Sequence, residues 1–143
     1  MPTPPAAPDP DRTARLQHHV LVVGSVLAVI VALVVLRPRV PLVADRGGRR
    51  LLSLGGYGLA GVLLVIGWLL RRRIPAPTPE ADRAAWWRTN RGPAVAVWVV
   101  GTEGLILGAI FWLLTGNLFV LLALSGVGLV HLFTSSPDRL LGD

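Results

Sequence analysis

Residues 51–70 read LLSLGGYGLAGVLLVIGWLL, a stretch of twenty residues without a formal charge that lies between arginine clusters at 49–50 and 71–73. At about 1.5 Å of rise per residue, a helix of this length spans a bilayer hydrocarbon core of roughly 30 Å. The backbone groups of a segment in lipid must bond to one another, which favours helix over strand. The stretch therefore predicts a transmembrane helix at about 51–70.

Two more uncharged regions indicate three further helices. The first is almost wholly aliphatic and is ended by an Arg-Pro-Arg sequence, because proline does not continue a helix. The second is too long for one crossing, and Thr-Gly-Asn at 115–117 supplies a turn that divides it. The predicted helices lie at about 19–36, 93–114 and 118–133.

The predicted fold is an all-α, polytopic membrane protein with four transmembrane helices in two antiparallel hairpins. These helices form a domain at 17–143, after a Pro-rich cytoplasmic arm at 1–16. Arginines are more numerous in the termini and the second connection than in the first and third connections. Because positive residues favour the cytoplasmic side, both termini are predicted to be cytoplasmic.

Composition supports a membrane location and excludes several kinds of chemistry. Hydrophobic residues make up 52% and charged residues 15% of the 143 residues, and cysteine is absent, which excludes disulfides and thiolate catalysis. The net charge is +6, but the arginines flank apolar runs, where they meet lipid headgroups rather than nucleic acid. Arginine is the only strongly basic residue type, and Ala, Val, Leu, Gly and Pro are frequent, which indicates a GC-rich bacterial genome. The predicted location is the bacterial inner membrane.

The second connection is predicted to hold a short interfacial helix at about 79–90. Thr78 is suited to cap this helix, with proline at its first position. Tryptophans are enriched at the membrane surface. Four of them near predicted helix ends are therefore expected to be interface anchors: Trp68, Trp86, Trp87 and Trp112.

Glu103 is the one formal charge in the two helices predicted at 93–114 and 118–133. A charged acid in the middle of a transmembrane helix costs roughly 2.5–3.5 kcal/mol on insertion scales. One interpretation is an ion-binding carboxyl of a proton or cation carrier. The other is a neutral carboxyl that forms a hydrogen bond between helices, with candidate partners Ser53, Tyr57, Thr102 and Ser125.

Small residues at helical spacing predict close packing between helices. Internal packing of the four helices is the main interpretation, and an oligomer interface is the alternative. The residues concerned are Gly24, Ala28 and Ala32 in the first helix, Gly56 and Ala60 in the second, and Gly101, Gly104 and Gly108 in the third.

The three histidines, His18, His19 and His131, are predicted at similar depth near the cytoplasmic side. His131 with His18 or His19 would suit a bis-histidine site for haem or bacteriochlorophyll. The alternative is that interfacial histidines reach water or headgroups. The sequence contains no recognisable metal motif, so no metal site is predicted.

Residues 98–116 read WVVGTEGLILGAIFWLLTG. This stretch resembles the acid-bearing helix of rotary ATPase c-subunit proteolipids, and the glycine-rich stretch 54–67 is similar to its partner helix. The resemblance implies that Glu103 is an ion-binding carboxyl. The stretch also resembles small bacterial four-helix membrane proteins of uncharacterised function, which have a similar tryptophan, glutamate and Thr-Gly pattern before a last apolar helix.

The leading functional hypothesis is a non-enzymatic accessory or assembly subunit of a larger inner-membrane complex, with the lipid bilayer and other membrane subunits as its partners. The alternative is a proton- or cation-conducting, proteolipid-like protein that uses Glu103. A haem or pigment carrier ranks third. An enzyme is the least expected class, because no catalytic motif is recognisable and little of the chain lies outside the apolar helices.

Overall fold

The computed structural model describes residues 9–78 and 82–142, which form helices joined by short connections. Within this part of the chain no strand is present, which confirms the predicted all-α class. The five α-helices are α1 (Pro10–Leu36), α2 (Arg46–Arg72), α3 (Arg83–Thr115), α4 (Leu118–Thr134) and α5 (Pro137–Leu141), and a single 3-10 turn at Arg37–Arg39 follows α1.

Helix α3 is the centre of the fold. It packs most extensively against α4, and α1 and α2 each pack against it as well, while α2 also contacts α4. Helices α1 and α2 do not pack along each other. The first of the two predicted antiparallel hairpins is therefore not confirmed, because α1 and α2 both use their inward faces against α3.

Three described helical segments are long and apolar enough to cross a membrane: Pro10–Arg39, Arg46–Arg72 and Arg83–Thr115. Helix α4 is also apolar but has only 17 residues, the lower end of the usual length for a transmembrane helix. Large apolar side chains cover the outer surface of the bundle, as with Val34 and Phe119, which are 71% and 73% exposed. Such a surface is suited to lipid rather than water.

The predicted interfacial helix at 79–90 and the predicted third helix at 93–114 are instead one continuous helix of 33 residues, α3. Pro93 lies inside it, although proline removes one helical hydrogen bond. The first turns of α3 nevertheless continue into the span because they bury Trp87 and Asn90. The cap is Asp82, whose Oδ1 accepts a hydrogen bond from the Ala84 amide at 2.9 Å. The predicted start at residue 79 lies outside the described residues.

Helix α1 begins well before the predicted position. Asp9 caps it by accepting the Asp11 amide at 3.0 Å, and Pro10 occupies the first turn. Arg15 then forms ion pairs with Asp11 and with Asp138 in the first turn of α5. The second half of the predicted arm is therefore helical and attached to the bundle, and residues 1–8 of that arm lie outside the described part.

The turn between α3 and α4 is short. Gly116 has a φ of 70°, a conformation that glycine adopts without the strain caused by a side chain. Asn117 caps α4 by accepting the Phe119 amide at 3.0 Å. This geometry makes α4 antiparallel to α3 and places their glycine-rich faces against each other.

Candidate functional site

The small residues of α2 and α3 are used inside the bundle. Gly101, Gly104 and Gly108 are buried against α4, and Gly56 and Ala60 of α2 are buried as well. A Cβ placed on Gly108 would lie 2.7 Å from the Ser125 Oγ. These positions therefore accept helix contacts that a larger side chain would block.

The small residues of α1 have a different environment. Gly24 has no non-neighbouring atom within 4 Å of the position of a Cβ, and Ala28 is exposed. Ala28 and Ala32 line a shallow cavity of about 100 Å³ between α1 and α3, with Ile106 and Ile110 on its other side. The α1 residues predicted to pack internally therefore remain largely on an open side of the molecule.

Glu103 is exposed on the outer surface of α3. Its neighbours on this surface are Val99, Ile106 and Ile110, which are 41%, 39% and 42% exposed. We refer to these four residues as the open face of α3. Glu103 is thus a carboxyl surrounded by apolar side chains on the side of the helix that faces away from α4.

The open face lies in the gap between α1 and α2. Ile106, three residues after Glu103, borders α1 through the shallow cavity. Leu107, four residues after it, packs against the cluster formed by Ala60 of α2 and by Val120 and Leu124 of α4. Residues three and four positions apart flank the same helix surface, so the Glu103 carboxyl lies between the two outer helices. Since α1 and α2 do not pack along each other, this surface is uncovered.

Within the described residues, Glu103 forms no hydrogen bond and no ion pair. The hydroxyls of Ser53 and Tyr57 instead accept from the Asn117 side chain, and Thr102 donates to the Val99 carbonyl at 2.8 Å. The Ser125 Oγ is buried without a hydrogen-bond partner, and Ser125 packs against Gly108 on the α4 side of α3. The hydrogen bond to a neighbouring helix considered for Glu103 is therefore not formed in the described structure.

The histidines contact different parts of the bundle. His18 is buried, with its Nε2 at 3.1 Å from the Leu132 carbonyl oxygen and its ring 5.2 Å from Trp98. His131 is buried against Gly67 of α2. His19 is exposed, and its Nδ1 lies 2.7 Å from the carbonyl oxygen of the preceding helical turn.

Ring contacts among the described residues link His18 to His19 and to Trp98, and they do not link either histidine to His131. His18 and His131 are therefore buried at two different helix contacts and do not reach water or headgroups. Binding of haem or bacteriochlorophyll stays a prediction from the sequence.

Trp86 and Trp87, predicted as interface anchors, are both buried inside the bundle. Trp87 is 0% exposed, and its Nε1 donates to the Asp11 Oδ1 at 3.0 Å. Trp98, also 0% exposed, donates to the Ser135 carbonyl at 2.6 Å. The early start of α1, together with the chain after α4, covers these rings, so they hold one end of the bundle together.

The other two predicted anchors, Trp68 and Trp112, are less buried than Trp86 and Trp87. Trp68 is 49% exposed near the end of α2, and the guanidinium of Arg72 lies 3.7 Å from its ring centroid. Trp112 is half-buried near the end of α3. An exposed indole beside an arginine at the end of an apolar helix is suited to the headgroup layer.

The described structure therefore has two notable features. One is a polar and aromatic cluster in which α1, α3 and the C-terminal segment pack together. The other is an isolated acid, Glu103, on an uncovered apolar face. The first has internal partners for most of its polar groups, whereas Glu103 has none within the described residues. Comparison of the chain with known protein families, with curated proteins and with solved structures found no match.

Proposed function

We propose that this chain is a non-enzymatic assembly subunit of a larger complex in the bacterial inner membrane. In this proposal a transmembrane helix of another subunit binds over the open face of α3. The observation that carries the proposal is the exposed, unpartnered Glu103 in the gap between α1 and α2. The proposal includes four transmembrane helices with both termini in the cytoplasm, as the arginine distribution favours.

The energetic argument rests on the surroundings of Glu103. A charged carboxyl near the bilayer centre costs roughly 2.5–3.5 kcal/mol on insertion scales. The other members of the open face are valine and isoleucine, so the chain itself supplies no compensating donor there. A partner helix that donates a hydrogen bond or a positive charge to Glu103 would remove much of this cost, and the acid would in turn select that partner.

The partner is expected to be a different protein rather than a second copy of this chain. Most of the exposed residues in the middle of α1 and α2 are apolar, as Leu27, Ile30 and Val62 illustrate. A second copy that docked through these surfaces would place hydrocarbon against the carboxyl. We therefore expect a partner helix with an arginine, lysine, histidine, amide or hydroxyl side chain at the depth of Glu103.

The small residues of α1 add a steric argument. At Gly24 and Ala28 no large side chain projects from the outer surface of α1 beside the open face. Small residues let the backbones of two membrane helices approach closely, which strengthens van der Waals packing and hydrogen bonds between them. A partner helix in the gap would contact this stripe and Glu103 together.

The experiment is affinity purification of the tagged full-length protein from its native membranes in a mild detergent, followed by mass spectrometry of the proteins retained. Glu103→Leu should lose the partner, because it removes the hydrogen-bonding group. Glu103→Gln should retain it, because the amide still forms hydrogen bonds. Val130→Leu, at an exposed apolar position of α4 outside the open face, is the matched control and should behave as the unaltered protein does. Retention of the same proteins by all three variants would contradict the proposal.

The same exposed carboxyl also supports the alternative of proton or cation transfer, in line with the resemblance to c-subunit proteolipids. Glutamine separates the two functions, because it keeps the hydrogen bond and removes ionisation. If Glu103 transfers ions, Glu103→Gln abolishes transport by the assembled complex while the partner still co-purifies. If Glu103 serves assembly alone, the complex with Gln remains active.

A further inference from the structure

The N-terminus of α2 is held beside the turn that joins α3 to α4. The segment before α2 bonds to the end of α3: the Leu42 amide donates to the Leu113 carbonyl at 2.9 Å, and the Val43 amide donates to the Leu114 carbonyl at 3.1 Å. These bonds satisfy carbonyls that the end of a helix leaves without partners. They also fix the first turns of α2 at the same end of the bundle as the α3–α4 turn.

A polar cleft of about 280 Å³ lies between these two elements. It is lined by Arg46, Arg49, Arg50 and Ser53 from α2 and by Thr115 and Asn117 from the turn. A hydrogen bond of 3.2 Å from the Asn117 amide nitrogen to the Ser53 hydroxyl joins its two sides. The cleft is therefore a shallow, open surface with polar groups from two separate parts of the chain.

The charge in this cleft is unbalanced. None of its three arginines forms an ion pair with an acid in the part of the chain that the structure describes. The neighbouring acid is Asp45, whose Oδ2 accepts the Gly48 amide at 2.5 Å as the cap of α2. One carboxylate, on which Arg49 acts, cannot balance three guanidinium groups, so the cleft retains a positive charge.

We propose that this cleft binds the phosphate group of an anionic phospholipid. Guanidinium groups donate paired hydrogen bonds to phosphate oxygens, and the Ser53 hydroxyl adds a further donor. The source of the phosphate follows from the surroundings. Leu51, Leu54 and Leu118, each next in sequence to a lining residue, are 73%, 60% and 54% exposed. These apolar side chains suit acyl chains below a bound headgroup, which a soluble phosphate would not use.

The test uses the purified full-length protein in detergent and measures, by native mass spectrometry, retention of phosphatidylglycerol against phosphatidylcholine. The double variant Arg46→Gln with Arg50→Gln should lower the affinity for phosphatidylglycerol by roughly tenfold or more, because each lost charge-assisted hydrogen bond weakens binding several-fold. The matched control is Arg37→Gln with Arg39→Gln, which makes the same change in net charge in the same connection but outside the cleft. The control should bind as the unaltered protein does.

Circular dichroism of both double variants establishes that their helices are intact. Equal loss of phosphatidylglycerol in the two double variants would show a diffuse charge effect and overturn the proposal, as would equal retention of phosphatidylcholine by the unaltered protein. A third arm adds inorganic phosphate. Displacement of the lipid at millimolar phosphate would assign the cleft to a soluble anion and overturn the lipid assignment, whereas continued retention supports it.

Discussion

Gly104 of α3 and Gly128 of α4 lie against each other where the two central helices are closest. A Cβ placed on Gly104 would lie 2.9 Å from the Gly128 Cα, a distance that real Cβ contacts do not reach. A Cβ placed on Gly128 would in turn clash with the Gly101 carbonyl oxygen. This oxygen is a backbone atom and cannot move aside as a flexible side chain could. The pairing of α3 with α4 therefore depends on the absence of side chains at these positions.

A first prediction follows for Gly128→Ala. The added methyl meets backbone atoms of α3, so α4 must move away, and we expect the free energy of unfolding in detergent to fall by about 1–3 kcal/mol. Gly126→Ala is the matched control on the same helix, because no non-neighbouring atom lies within 4 Å of its Cβ position. Thermal unfolding followed by circular dichroism compares the two. Equal midpoints would contradict the close contact.

A second prediction concerns the end of the bundle that Trp87 ties to α1. Trp87→Phe keeps a buried ring but removes the Nε1 donor to the Asp11 carboxylate. A hydrogen bond to a charged group contributes about 1.5–3 kcal/mol, so thermal stability should fall and the N-terminal turns of α1 should become sensitive to protease. Trp112→Phe, at a half-buried indole, should change little. Unaltered protease resistance in Trp87→Phe would argue against the link.

Much of the fold could be predicted from the sequence because lipid imposes one simple rule. A long uncharged stretch must satisfy its own backbone hydrogen bonds, so it is helical, and arginines mark its ends. The sequence does not specify which helix is central. All the apolar stretches look alike in lipid, and the position of α3 depends on the close approach of α4 that Gly101, Gly104 and Gly108 allow.

The continuity of α3 differs from the prediction of two separate helices. A separate interfacial helix was predicted at about 79–90, and the next helix was predicted to begin at Pro93. A stripe of residues at helical spacing, including Trp87, Ala94 and Trp98, continues across it and is buried. That spacing was the available signal for one long helix. The environment of Glu103 was harder to predict from the sequence, because its side chain lies outside the bundle only as a consequence of how α1 and α2 pack.

A third prediction is a pH effect at the start of α2. Hydrogen bonds from the Gly48 and Gly47 amides hold the pKa of the Asp45 carboxyl below its ordinary value of 3.8. With a lowered pKa in the folded state, the cap contributes fully above the ordinary value and is lost as the pH falls through the lower one. In an NMR titration, the Gly48 amide shift should therefore have its inflection below pH 3.8. An inflection at or above that value would contradict the cap, and Asp45→Asn should abolish the inflection.

A fourth prediction tests the topology. The chain has no cysteine, so a single introduced thiol reports its own side of the membrane. Ala44→Cys, in the connection before α2, should react with a membrane-impermeant maleimide added to intact spheroplasts. Ala76→Cys, in the exposed segment after α2, should react only after the membrane is opened. The opposite pattern would reverse the predicted orientation, and equal labelling of both would exclude a membrane crossing by α2.

The last prediction concerns access to Glu103. Because its carboxyl is exposed on an apolar surface in the isolated chain, a hydrophobic carbodiimide dissolved in the detergent micelle should reach and modify it. In the native complex the proposed partner helix covers the open face, so modification should be markedly slower. Mass spectrometry of the peptide that contains residue 103 measures both rates, and Glu103→Gln provides the background. Equal rates in the isolated chain and in the native membrane would mean that Glu103 remains uncovered. That result would remove the support for a partner at this face, and it would favour the ion-transfer alternative if transport also failed in Glu103→Gln.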